Sequence, residues 1–506
     1  MNRSFVSLGA LALLLAAVPA EAGNRDDTLR WASRATVSSA DPYYNEFREA
    51  VLIMSQMVWD TLVYRDPKDN QYKPLLAKSW RWVDNLTLDF DLRDDVQYHD
   101  GKPFTADDAV YTLNYVADPE NKINVQSNAN WMRRAEKLGE HKLRLHVKGP
   151  FPAALEYLSG PLAILPAGFY DNAGPSRLNV KLVGTGPYRF TRWEPGKAGQ
   201  FEANRDYMAA SPKGRAQIGR VEYRIIPDQA TQLAEFLSGS IDWIWQVSKD
   251  NAAKLKNVPN VMVAPEMTMR VSFLAMDAAG RSGPNPFTDI RVRRAVNHAV
   301  DRETVVKNLI GQGSAIVHSA CFPQQFGCTD DVVRYGYDPA KAKALLAEAG
   351  YPNGFDVDLW AYRERPWVEA AMGYLAQIGI RAKLNYVQYP VIRDKTAASS
   401  ADVKFVDLSW GSYSINDASA FLNHWFTQGA DDLSRDGEVK AWLDGASRSV
   451  DPAERLALYD KALKRIAEQA YIAPLYVNPV TYAYSRELDF TAWADENPRF
   501  FLAKWK

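Results

Sequence analysis

Residues 76–113 read LAKSWRWVDNLTLDFDLRDDVQYHDGKPFTADDAVYTL, and this stretch decides the fold class. From Leu86 to Leu92 apolar and polar side chains alternate, which predicts a strand with one buried face. A Gly-Lys-Pro turn follows at Gly101. Thr105 then predicts a helix N-cap, with Asp108 at the third position, where a carboxylate favours the helix dipole. A strand, a turn and a capped helix in close succession are typical of a mixed α/β protein.

Strand and helix patterns of this kind alternate along the rest of the chain. The further strands that period-two alternation predicts are residues 142–147, 221–225, 355–360 and 381–387. Asp338-Pro339 and Asp451-Pro452 each predict a helix start, because Asp caps the first turn and Pro fits the first helical position. The first of these helices is expected to end at Gly350. The sequence therefore predicts an α/β fold.

Length and composition bound the number of domains and the kinds of partner. The 506 residues exceed what one hydrophobic core usually supports, so we expect two or three domains. Hydrophobic residues make up 47% of the chain, enough to fill large cores. The 60 basic and 61 acidic residues nearly balance. This balance gives no electrostatic reason to expect a nucleic acid or an anionic membrane surface as partner.

The N-terminus predicts export. Arg3 supplies a positive charge, residues 8–18 form a short apolar run, and Ala20-Glu21-Ala22 offers the small-x-small pattern of a cleavage site. We therefore expect residues 1–22 to be a signal peptide, cleaved after Ala22, and the mature protein to be exported. A retained anchor helix is the alternative, but the run is shorter than the roughly 20 residues that span a bilayer. No cysteine lies near the cleavage point, which argues against a lipid-anchored N-terminus.

The two cysteines, Cys321 and Cys328, lie seven residues apart in the sequence CFPQQFGC. In an oxidising compartment this pair predicts one disulfide, and the loop it closes adds about 2–3 kcal/mol by the chain-entropy estimate. A metal site is the second possibility, but it requires more ligands than two thiols, and His318 is the nearby candidate. A pair of free thiols is the third.

Several short motifs occur in a fixed order along the chain. In Gly-Thr-Gly-Pro-Tyr at 184–188, the glycines are expected to relieve backbone strain at the entry to a strand. The other motifs are NRDY at 204–207, IPD at 226–228, GSID at 239–242, and the blocks 287–302 and 337–351. Together with residues 76–113, this order strongly resembles extracellular solute-binding protein family 5, the receptors for dipeptides, oligopeptides, nickel complexes and related solutes.

The resemblance implies a periplasmic binding protein type II fold, in which two lobes are joined by a hinge and carry an extra inserted subdomain. Lobe I would combine residues 23–50, 178–268 and 475–506, the inserted subdomain would cover 51–177, and lobe II would cover 269–474. The resemblance also implies a monomeric receptor without a cofactor. Its partners would be a small-molecule ligand and an inner-membrane ATP-binding-cassette (ABC) permease.

The first candidate site lies in Trp-Ala-Tyr-Arg-Glu-Arg-Pro-Trp at 360–367, between a predicted strand and a predicted helix. Such a junction commonly faces a ligand crevice. In dipeptide-binding members of the family, an Arg before Pro and an aromatic residue receives the terminal carboxylate of the peptide. Arg365 matches that position, followed by Trp367, and a guanidinium donates two parallel hydrogen bonds to a carboxylate. A solvated ion pair between Arg365 and Glu364 is the alternative.

The second candidate site begins at Trp410 and continues through Gly411, Ser412 and Tyr413 to Asp417. Peptide-binding relatives carry an Asp, which pairs with the α-ammonium of the ligand, at the position of Tyr413. Tyrosine is neutral at pH 7 and does not balance a buried ammonium. Either Asp417 takes over this role or the ligand has no free α-amine at this point. Core packing is the alternative for Trp410.

Three further residues are weaker candidates for the ligand site. Ser33 and Arg34 follow the first predicted strand, where relatives line the cleft, and surface positions are the alternative. Trp131 of the inserted region is a candidate for a position over the pocket, with core packing as its alternative. The histidines have no spacing typical of a zinc site, so no metal site is predicted, although His424 follows the second candidate site and a contact to a chelated metal is one possible role.

Two ligand classes follow from these residues. One is a short peptide or amino-acid derivative held by its carboxylate. The other is an amine-blocked polycarboxylate, such as an opine or a metal chelate, which Tyr413 favours. A secreted hydrolase is a remote alternative, because the sequence has no Gly-x-Ser-x-Gly, phosphate-loop or His-Glu-x-x-His motif. The sequence therefore predicts a binding protein and no enzyme.

Overall fold

A mixed sheet of ten strands runs through the whole molecule. The computed structural model describes residues 24–45, 49–171, 181–363, 365–397, 403–411 and 415–506. The strands of the first half are β1 (Thr28–Ser33), β2 (Val63–Arg65), β3 (Tyr72–Pro74), β4 (Ala77–Asp84), β5 (Thr87–Leu92), β6 (Met132–Gly139), β7 (Lys142–Val147), β8 (Tyr188–Glu194), β9 (Ala198–Ala203), β10 (Arg220–Ile225) and β11 (Trp243–Ile244). The later strands are β12 (Val261–Met276), β13 (Phe355–Ala361), β14 (Ile380–Tyr386), β15 (Phe405–Gly411), β16 (Ile472–Ser485), β17 (Leu488–Asp489) and β18 (Lys504–Trp505).

Helices pack on the faces of this sheet and on a smaller one. The α-helices of the described residues up to 260 are α1 (Ser55–Val58), α2 (Ala106–Ala117), α3 (Ala154–Ser159), α4 (Gln229–Leu237) and α5 (Lys249–Leu255). Those after 260 are α6 (Ile290–Ala299), α7 (Arg302–Val305), α8 (Pro339–Glu348), α9 (Arg365–Gln377), α10 (Tyr389–Ala397), α11 (Ser419–Phe426), α12 (Gly437–Arg448) and α13 (Pro452–Glu468). Among the described residues, none of the helices is both long and apolar enough to cross a membrane.

The large sheet has the strand order β14-β13-β15-β12-β16-β11-β1-β10-β9-β8. Lobe I contains β1 and β8–β11 with α4 and α5, and lobe II contains β13–β15 with α6–α13. The long strands β12 and β16 pair antiparallel over most of their length and extend through both lobes. Their register shifts between Met267 and Val271, where they pass from one lobe to the other. This arrangement agrees with the predicted type II fold, and the residue boundaries predicted for its parts stay predictions.

The inserted subdomain is built on a four-stranded antiparallel sheet of order β4-β5-β7-β6, with α2 packed against β6. One hydrophobic cluster contains Leu88 and Phe90 of this sheet together with Trp31 and Tyr223 of lobe I. Lobe II has its own clusters on the two faces of its sheet. Because lobe I and the subdomain share a core, movement between lobes is expected to bend β12 and β16 while this pair stays together.

The strongest local signals in the sequence are confirmed by the structure. The predicted strand at 86–92 is β5, and its apolar residues Leu88, Phe90 and Leu92 are buried. Thr105 and Asp108 form a capping box at the start of α2, in which each side chain bonds the backbone of the other end of the turn. The Asp-Pro pairs at 338–339 and 451–452 open α8 and α13.

The glycines of the 184–188 motif serve a different purpose from the one predicted. Neither Gly184 nor Gly186 has a positive φ, so relief of backbone strain is not their role. A Cβ added to Gly184 would lie 1.9 Å from the carbonyl oxygen of Val58, and one added to Gly186 would lie 2.5 Å from that of Met57. The N–H of Gly186 donates to the Val58 carbonyl at 2.8 Å. The motif therefore lets two backbone segments approach within hydrogen-bonding distance.

Candidate functional site

A cavity of about 490 Å³ lies where β12 and β16 pass from one lobe to the other. Lobe I, lobe II, both crossing strands and the C-terminal segment all contribute to its walls. The lining residues are Gln246, Arg270, Leu309, Ile310, Arg363, Asn478, Pro479, Val480 and Glu496. Its volume falls within the range of about 300–1,000 Å³ that is typical of small-molecule sites. A position between hinged lobes suits a site that closes around its ligand.

More positive than negative side chains line this cavity. Arg270 and Arg363 supply two guanidinium groups, and Glu496 supplies the one carboxylate among the lining residues. Arg270 Nη2 lies 3.6 Å from Glu496 Oε2, and the two side chains are 17% and 11% exposed. The Arg363 guanidinium lies over the Tyr362 ring, 5.5 Å from its centroid. Among the described residues Arg363 has no carboxylate partner, so the cavity carries an excess of positive charge.

The Arg270 side chain packs beside a glycine of the neighbouring strand. Arg270 of β12 pairs with Gly411 of β15. A Cβ added at Gly411 would lie 3.0 Å from Arg270 Nη2 and 3.1 Å from Cζ, closer than nine in ten real contacts of this kind, so the guanidinium would have to shift slightly. Glycine at 411 therefore leaves the space in which the guanidinium lies.

Two of the lining residues have unusual backbone conformations. Gln246 has a φ of 54° and Glu496 a φ of 57°, in the left-handed region that residues other than glycine seldom adopt. Such conformations cost about 1–3 kcal/mol each and concentrate at ligand sites and switches. Both fix the direction in which a polar side chain leaves the backbone at the edge of the cavity.

Asn478 makes the floor of the cavity rigid. Its amide nitrogen donates to Ser272 Oγ at 2.8 Å and lies 3.1 Å from Ser409 Oγ. Asn478 belongs to β16, Ser272 to β12 and Ser409 to β15, so one side chain links three adjacent strands. Because Asn478 is only 5% exposed, these bonds are shielded from water.

A second cavity of about 830 Å³ adjoins the first between α5 and residues 306–312. The two cavities share Gln246, Ile310, Pro479 and Val480. The lysines that line the second cavity are Lys249, Lys256 and Lys307. Lys249 of lobe I donates a hydrogen bond to the Asn308 carbonyl of lobe II, and Lys256 donates to Gln312. The cleft between the lobes is therefore lined by cations beyond the first cavity as well.

The first predicted site is only partly next to the cavity. Arg365 opens α9 with a side chain 61% exposed, and its Nε lies 2.8 Å from Glu369 Oε1. It does not line the cavity, whereas Arg363, two residues earlier, does. The predicted alternative partner, Glu364, lies outside the described residues. Trp367 is 1% exposed in the core of lobe II, and its Nε1 donates to Asp407 at 2.7 Å.

The second predicted site is partly described. The Trp410 indole stacks on His424 with 4.1 Å between ring centroids, and its Nε1 donates to the Ala420 carbonyl at 3.2 Å. Asp417 is 3% exposed and forms an ion pair with Arg455 at 2.6 Å. That pair ties the Asp417 carboxylate to a cation of the protein itself. Ser412 and Tyr413 lie outside the described residues.

The three weaker candidates, Ser33, Arg34 and Trp131, lie in the core or on the surface, away from the cavity. Ser33 is buried, with its Oγ 2.7 Å from the Tyr223 hydroxyl. Arg34 is exposed at the end of β1. Trp131 stacks on Phe151 with centroids 4.5 Å apart in the core of the subdomain. None of the three lines the described cavity.

The disulfide between Cys321 and Cys328 is present, as predicted, and the loop it closes contacts the segment after Trp410. Gln325 Nε2 donates to the Ile415 carbonyl at 2.8 Å. The N–H of Phe326 donates to the Asn416 carbonyl at 3.2 Å, and the N–H of Ala418 donates back to Phe326 at 2.9 Å. The cross-linked loop therefore supports the backbone of the second predicted site.

Another group of charged side chains lies between lobe I, the subdomain and the C-terminal segment, and we name it the buried charge cluster. Its members are three acids and three bases, each 7% exposed or less: Asp60, Arg65, Glu156, Lys213, Asp495 and Arg499. Lys213 lies 2.7 Å from Asp60, and Arg499 lies 2.6 Å from Asp495. Arg65 lies 3.5 Å from Asp495 and 3.4 Å from Glu156, so it joins two acids.

The pairing inside this cluster determines its protonation. Burial alone would raise the pKa of Asp495, but the adjacent Arg499 outweighs it and holds that pKa below its usual value. Burial lowers the pKa of Lys213, an effect that Asp60 opposes. Glu156 also accepts a hydrogen bond from the Asn416 N–H at 2.7 Å. The cluster thus reaches from the subdomain to the backbone of lobe II.

None of the lining residues other than Arg363 was singled out from sequence, and the polar ones among those missed are Gln246, Arg270, Asn478 and Glu496. They come from three distant parts of the chain, and none belongs to a local motif. Arg363 did lie within the quoted segment 360–367, although Arg365 was the residue selected there. No signal in the sequence pointed to Glu496.

The two lobes, the crossing strands and the cavity between them define a receptor that encloses a small molecule. The chain belongs to the family described as bacterial extracellular solute-binding proteins, family 5 Middle, whose model matches residues 71–432.

The chain is also similar to two curated relatives and to one solved structure. The chain is 27% identical to heme-binding protein A of Haemophilus influenzae, over 94% of this chain and 93% of that protein. It is 26% identical to glutathione-binding protein GsiB of Salmonella paratyphi A, over 83% of each. The structure of HbpA2 from Haemophilus parasuis superposes with a TM-score of 0.83 at 23% identity, covering 95% of this chain and all of that one. The last likeness supports the fold.

Proposed function

We propose that the protein is a periplasmic receptor that captures a small carboxylate-bearing solute, a short peptide or amino-acid derivative, and delivers it to an inner-membrane ABC permease. The observation that carries this proposal is the interlobe cavity of about 490 Å³ with two guanidiniums and one carboxylate. The N-terminal pattern at residues 3–22 supports export. The receptor acts as a monomer that binds its solute without chemical turnover.

Arg363 is the residue we assign to the ligand carboxylate. It lies at the strand-to-helix junction between β13 and α9, and it lines the cavity without a described acidic partner. A guanidinium stays charged when the lobes close, and its planar fork matches both oxygens of a carboxylate. Ligand binding is favoured because it supplies the missing negative charge.

Closure of the lobes follows from this binding. A ligand shifts a hinge equilibrium only to the extent that it binds the closed state more tightly. A carboxylate between Arg363 of lobe II and the cavity wall of lobe I contacts both sides only when the lobes are closed. The apolar residues Leu309, Ile310, Pro479 and Val480 add contact area for the rest of the solute.

Paired variants test this assignment. Solute that co-purifies with the protein is identified by mass spectrometry after denaturation, and its affinity is then measured by calorimetry. Arg363→Gln should weaken binding by about 2–5 kcal/mol, the usual loss when one partner of a desolvated charge pair is removed. Arg365→Gln is the matched control, because its side chain is exposed and paired with Glu369.

Two results would count against the proposal. If Arg365→Gln loses affinity and Arg363→Gln keeps it, the original prediction for Arg365 is right and the assignment to Arg363 is wrong. If small-angle scattering with and without the recovered solute gives the same profile, the protein does not close around that solute. Turnover of a general peptidase or esterase substrate by the purified protein would instead favour a hydrolase.

An amine-blocked polycarboxylate, such as an opine or a metal chelate, is the second candidate ligand. Asp417 favours it, because Arg455 lies 2.6 Å from that carboxylate and leaves it poorly placed to receive a ligand ammonium. N-acetylation of the recovered solute, if it carries a free amine, distinguishes the two classes. Unchanged affinity after acetylation would support the second candidate.

A further inference from the structure

We infer that Glu156 of the inserted subdomain is a positioning residue for solute capture, because it holds the backbone of lobe II at Asn416 when the lobes are closed. Glu156 lies in α3, and Asn416 belongs to residues 415–418, which we name the docking loop. Glu156 does not line the described cavity, so it acts on the solute through the docking loop. This inference rests on the proposed receptor function and adds a residue that regulates closure.

The bond between Glu156 and Asn416 is short and shielded from water. The Asn416 N–H donates to Glu156 Oε2 at 2.7 Å, and both residues are buried. Charge-assisted hydrogen bonds between nitrogen and carboxylate are typically about 2.7–2.9 Å long, so this one is fully formed. A hydrogen bond is also electrostatically stronger in a buried setting than in water. The contact therefore stabilises the arrangement in which the subdomain and lobe II meet.

The other described backbone bonds of the docking loop lie within lobe II. Gln325 Nε2 donates to the Ile415 carbonyl at 2.8 Å. The N–H of Phe326 donates to the Asn416 carbonyl, and the N–H of Ala418 donates to the Phe326 carbonyl. Gln325 and Phe326 belong to the loop that the disulfide closes, so these bonds persist when the lobes separate. The bond from the Asn416 N–H crosses between the two halves, so separation breaks it.

Asp417 makes the docking loop rigid beside Asn416. Its carboxylate lies 2.6 Å from Arg455 Nη2 and accepts the Tyr459 hydroxyl at 3.1 Å. It also accepts the Ser419 N–H at 3.0 Å, at the start of α11. Because these contacts tie the loop to α11 and α13, holding Asn416 in place also holds the body of lobe II.

Glu156 is positioned by groups of its own half of the molecule. The Tyr72 hydroxyl donates to Glu156 Oε1 at 2.5 Å, and Arg65 Nε lies 3.4 Å from Oε2. Tyr72 belongs to β3 and Arg65 to β2, and these two strands pair with each other. Their side chains remain beside Glu156 when the lobes open, so opening costs chiefly the bond to Asn416. The contact thus favours closure and still allows release.

The docking bond changes solute affinity through the closure equilibrium. A solute closes the lobes only to the extent that it binds the closed state more tightly. While most solute-free molecules are open, any factor by which this bond raises the closed fraction lowers the apparent dissociation constant equally. The docking loop also continues the second predicted site that begins at Trp410, so its position at closure determines where that site lies.

The test measures closure directly. Spin labels are attached at Glu140→Cys in the subdomain and Ala457→Cys in α13, two exposed positions, while the native cysteines stay bonded to each other. The distance between the labels is measured by double electron–electron resonance on protein as purified and after dialysis from urea, which removes bound solute. We expect a closed and an open population, whose ratio is compared among variants.

Two variants remove the docking bond from opposite sides. Glu156→Leu removes the acceptor, and Asn416→Pro removes the N–H. Each should lower the ratio of closed to open molecules about tenfold, an effect typical of a hydrogen bond to a charged group. The double variant should lower the ratio no further, because both changes remove the same contact.

Matched variants separate the docking bond from folding. Asn416→Ala keeps the N–H and should close like wild type, and Glu156→Gln keeps an acceptor oxygen and should restore most of the closed population. If Glu156→Leu fails to fold because Arg65 loses a nearby acid, Asn416→Pro against Asn416→Ala decides the question. If Asn416→Pro fails to fold, Glu156→Leu against Glu156→Gln decides it.

The contrary outcomes separate this inference from the receptor function. Equal ratios for Asn416→Pro and Asn416→Ala in both preparations would overturn the inference and leave the receptor function standing. Additive effects in the double variant would also overturn it, since Glu156 would then act independently of Asn416. Identical distances before and after dialysis, with no solute recovered, would instead count against the receptor function, while the ratios among variants still decide the role of Glu156.

Discussion

The buried charge cluster and the interlobe cavity use arginine in opposite ways. In the cluster, three acids face three bases at 2.6–3.5 Å, and every side chain is at least nine-tenths buried. In the cavity, Arg270 and Arg363 face one carboxylate, and the contact is 3.6 Å long. The comparison teaches that matched charge pairs join the parts of this protein, whereas the cavity has more arginines than carboxylates among its lining residues, which supports the proposed acidic solute.

Lys213→Met removes one base from the buried charge cluster. Of the variants proposed, it should lower the free energy of unfolding the most. It leaves Asp60, which is fully buried, with hydrogen bonds from Thr185 and Tyr207 but with no cation partner in the part of the chain that the structure describes. Removing one member of a buried ion pair typically costs about 3–5 kcal/mol. Urea denaturation should show this loss in the free energy of unfolding.

Lys181→Met is the matched control for that experiment. Lys181 lies 3.0 Å from Asp100, but its side chain is 73% exposed. Exposed pairs contribute about 0–1 kcal/mol, so this variant should unfold nearly like wild type. If the two lysine variants lose the same stability, burial does not distinguish the two regions and the comparison fails.

The double variant Cys321→Ala with Cys328→Ala tests whether the disulfide loop supports the predicted ligand site. Removing the cross-link should lower the free energy of unfolding by about 2–3 kcal/mol. It should also weaken solute binding, because the loop bonds the backbone of Ile415, Asn416 and Ala418. Wild type in reducing buffer should behave like the variant in both measurements. An unchanged affinity would show that the loop stabilises lobe II without supporting the site.

Asp242 provides a third case, a carboxylate that burial tends to neutralise. It is 4% exposed, it accepts the Arg30 N–H at 2.8 Å, and burial raises its pKa to about 7. The unfolded chain loses this proton near pH 3.8 and the folded chain near pH 7. Between these values the folded state binds more protons, so its stability falls as pH rises.

Asp242→Asn should remove that dependence and keep the bond to Arg30. Urea denaturation at pH 4, 5, 6 and 7 should show that the free energy of unfolding falls less with pH in the variant, by about 1–3 kcal/mol over the whole window. Parallel curves for variant and wild type would mean that Asp242 is already ionised in the folded protein at low pH.

Local signals in the sequence predicted the elements of the fold well. Alternation at 86–92 and the capping pair Thr105 and Asp108 each depend on neighbours in the chain, and each is confirmed. The glycines of the 184–188 motif were correctly marked as special but for the wrong reason. Their role depends on Val58, more than 120 positions away, and no local pattern contains that contact.

The candidate site was harder to predict because its residues also meet through contacts between distant parts of the chain. Arg270 and Glu496 meet because β12 crosses between lobes and the C-terminal segment returns to it. Their contact joins positions 226 residues apart and leaves no periodicity. Arg363 and Arg365 illustrate a second limit, since both lie at the junction between the end of β13 at Ala361 and the start of α9 at Arg365. A sequence motif marks such a junction, but which side chain points into the cavity depends on the local backbone geometry.

The bond from the Asn416 N–H to Glu156 has a consequence for how this receptor can change over evolution. It connects the subdomain to the loop after Trp410 through a main-chain group, which every residue except proline possesses. Side chains in that loop can therefore be exchanged while the main-chain link between the subdomain and lobe II persists. Under the proposed function, a lineage carrying this link can change its preferred solute by point substitutions in the loop and still keep the subdomain joined to lobe II.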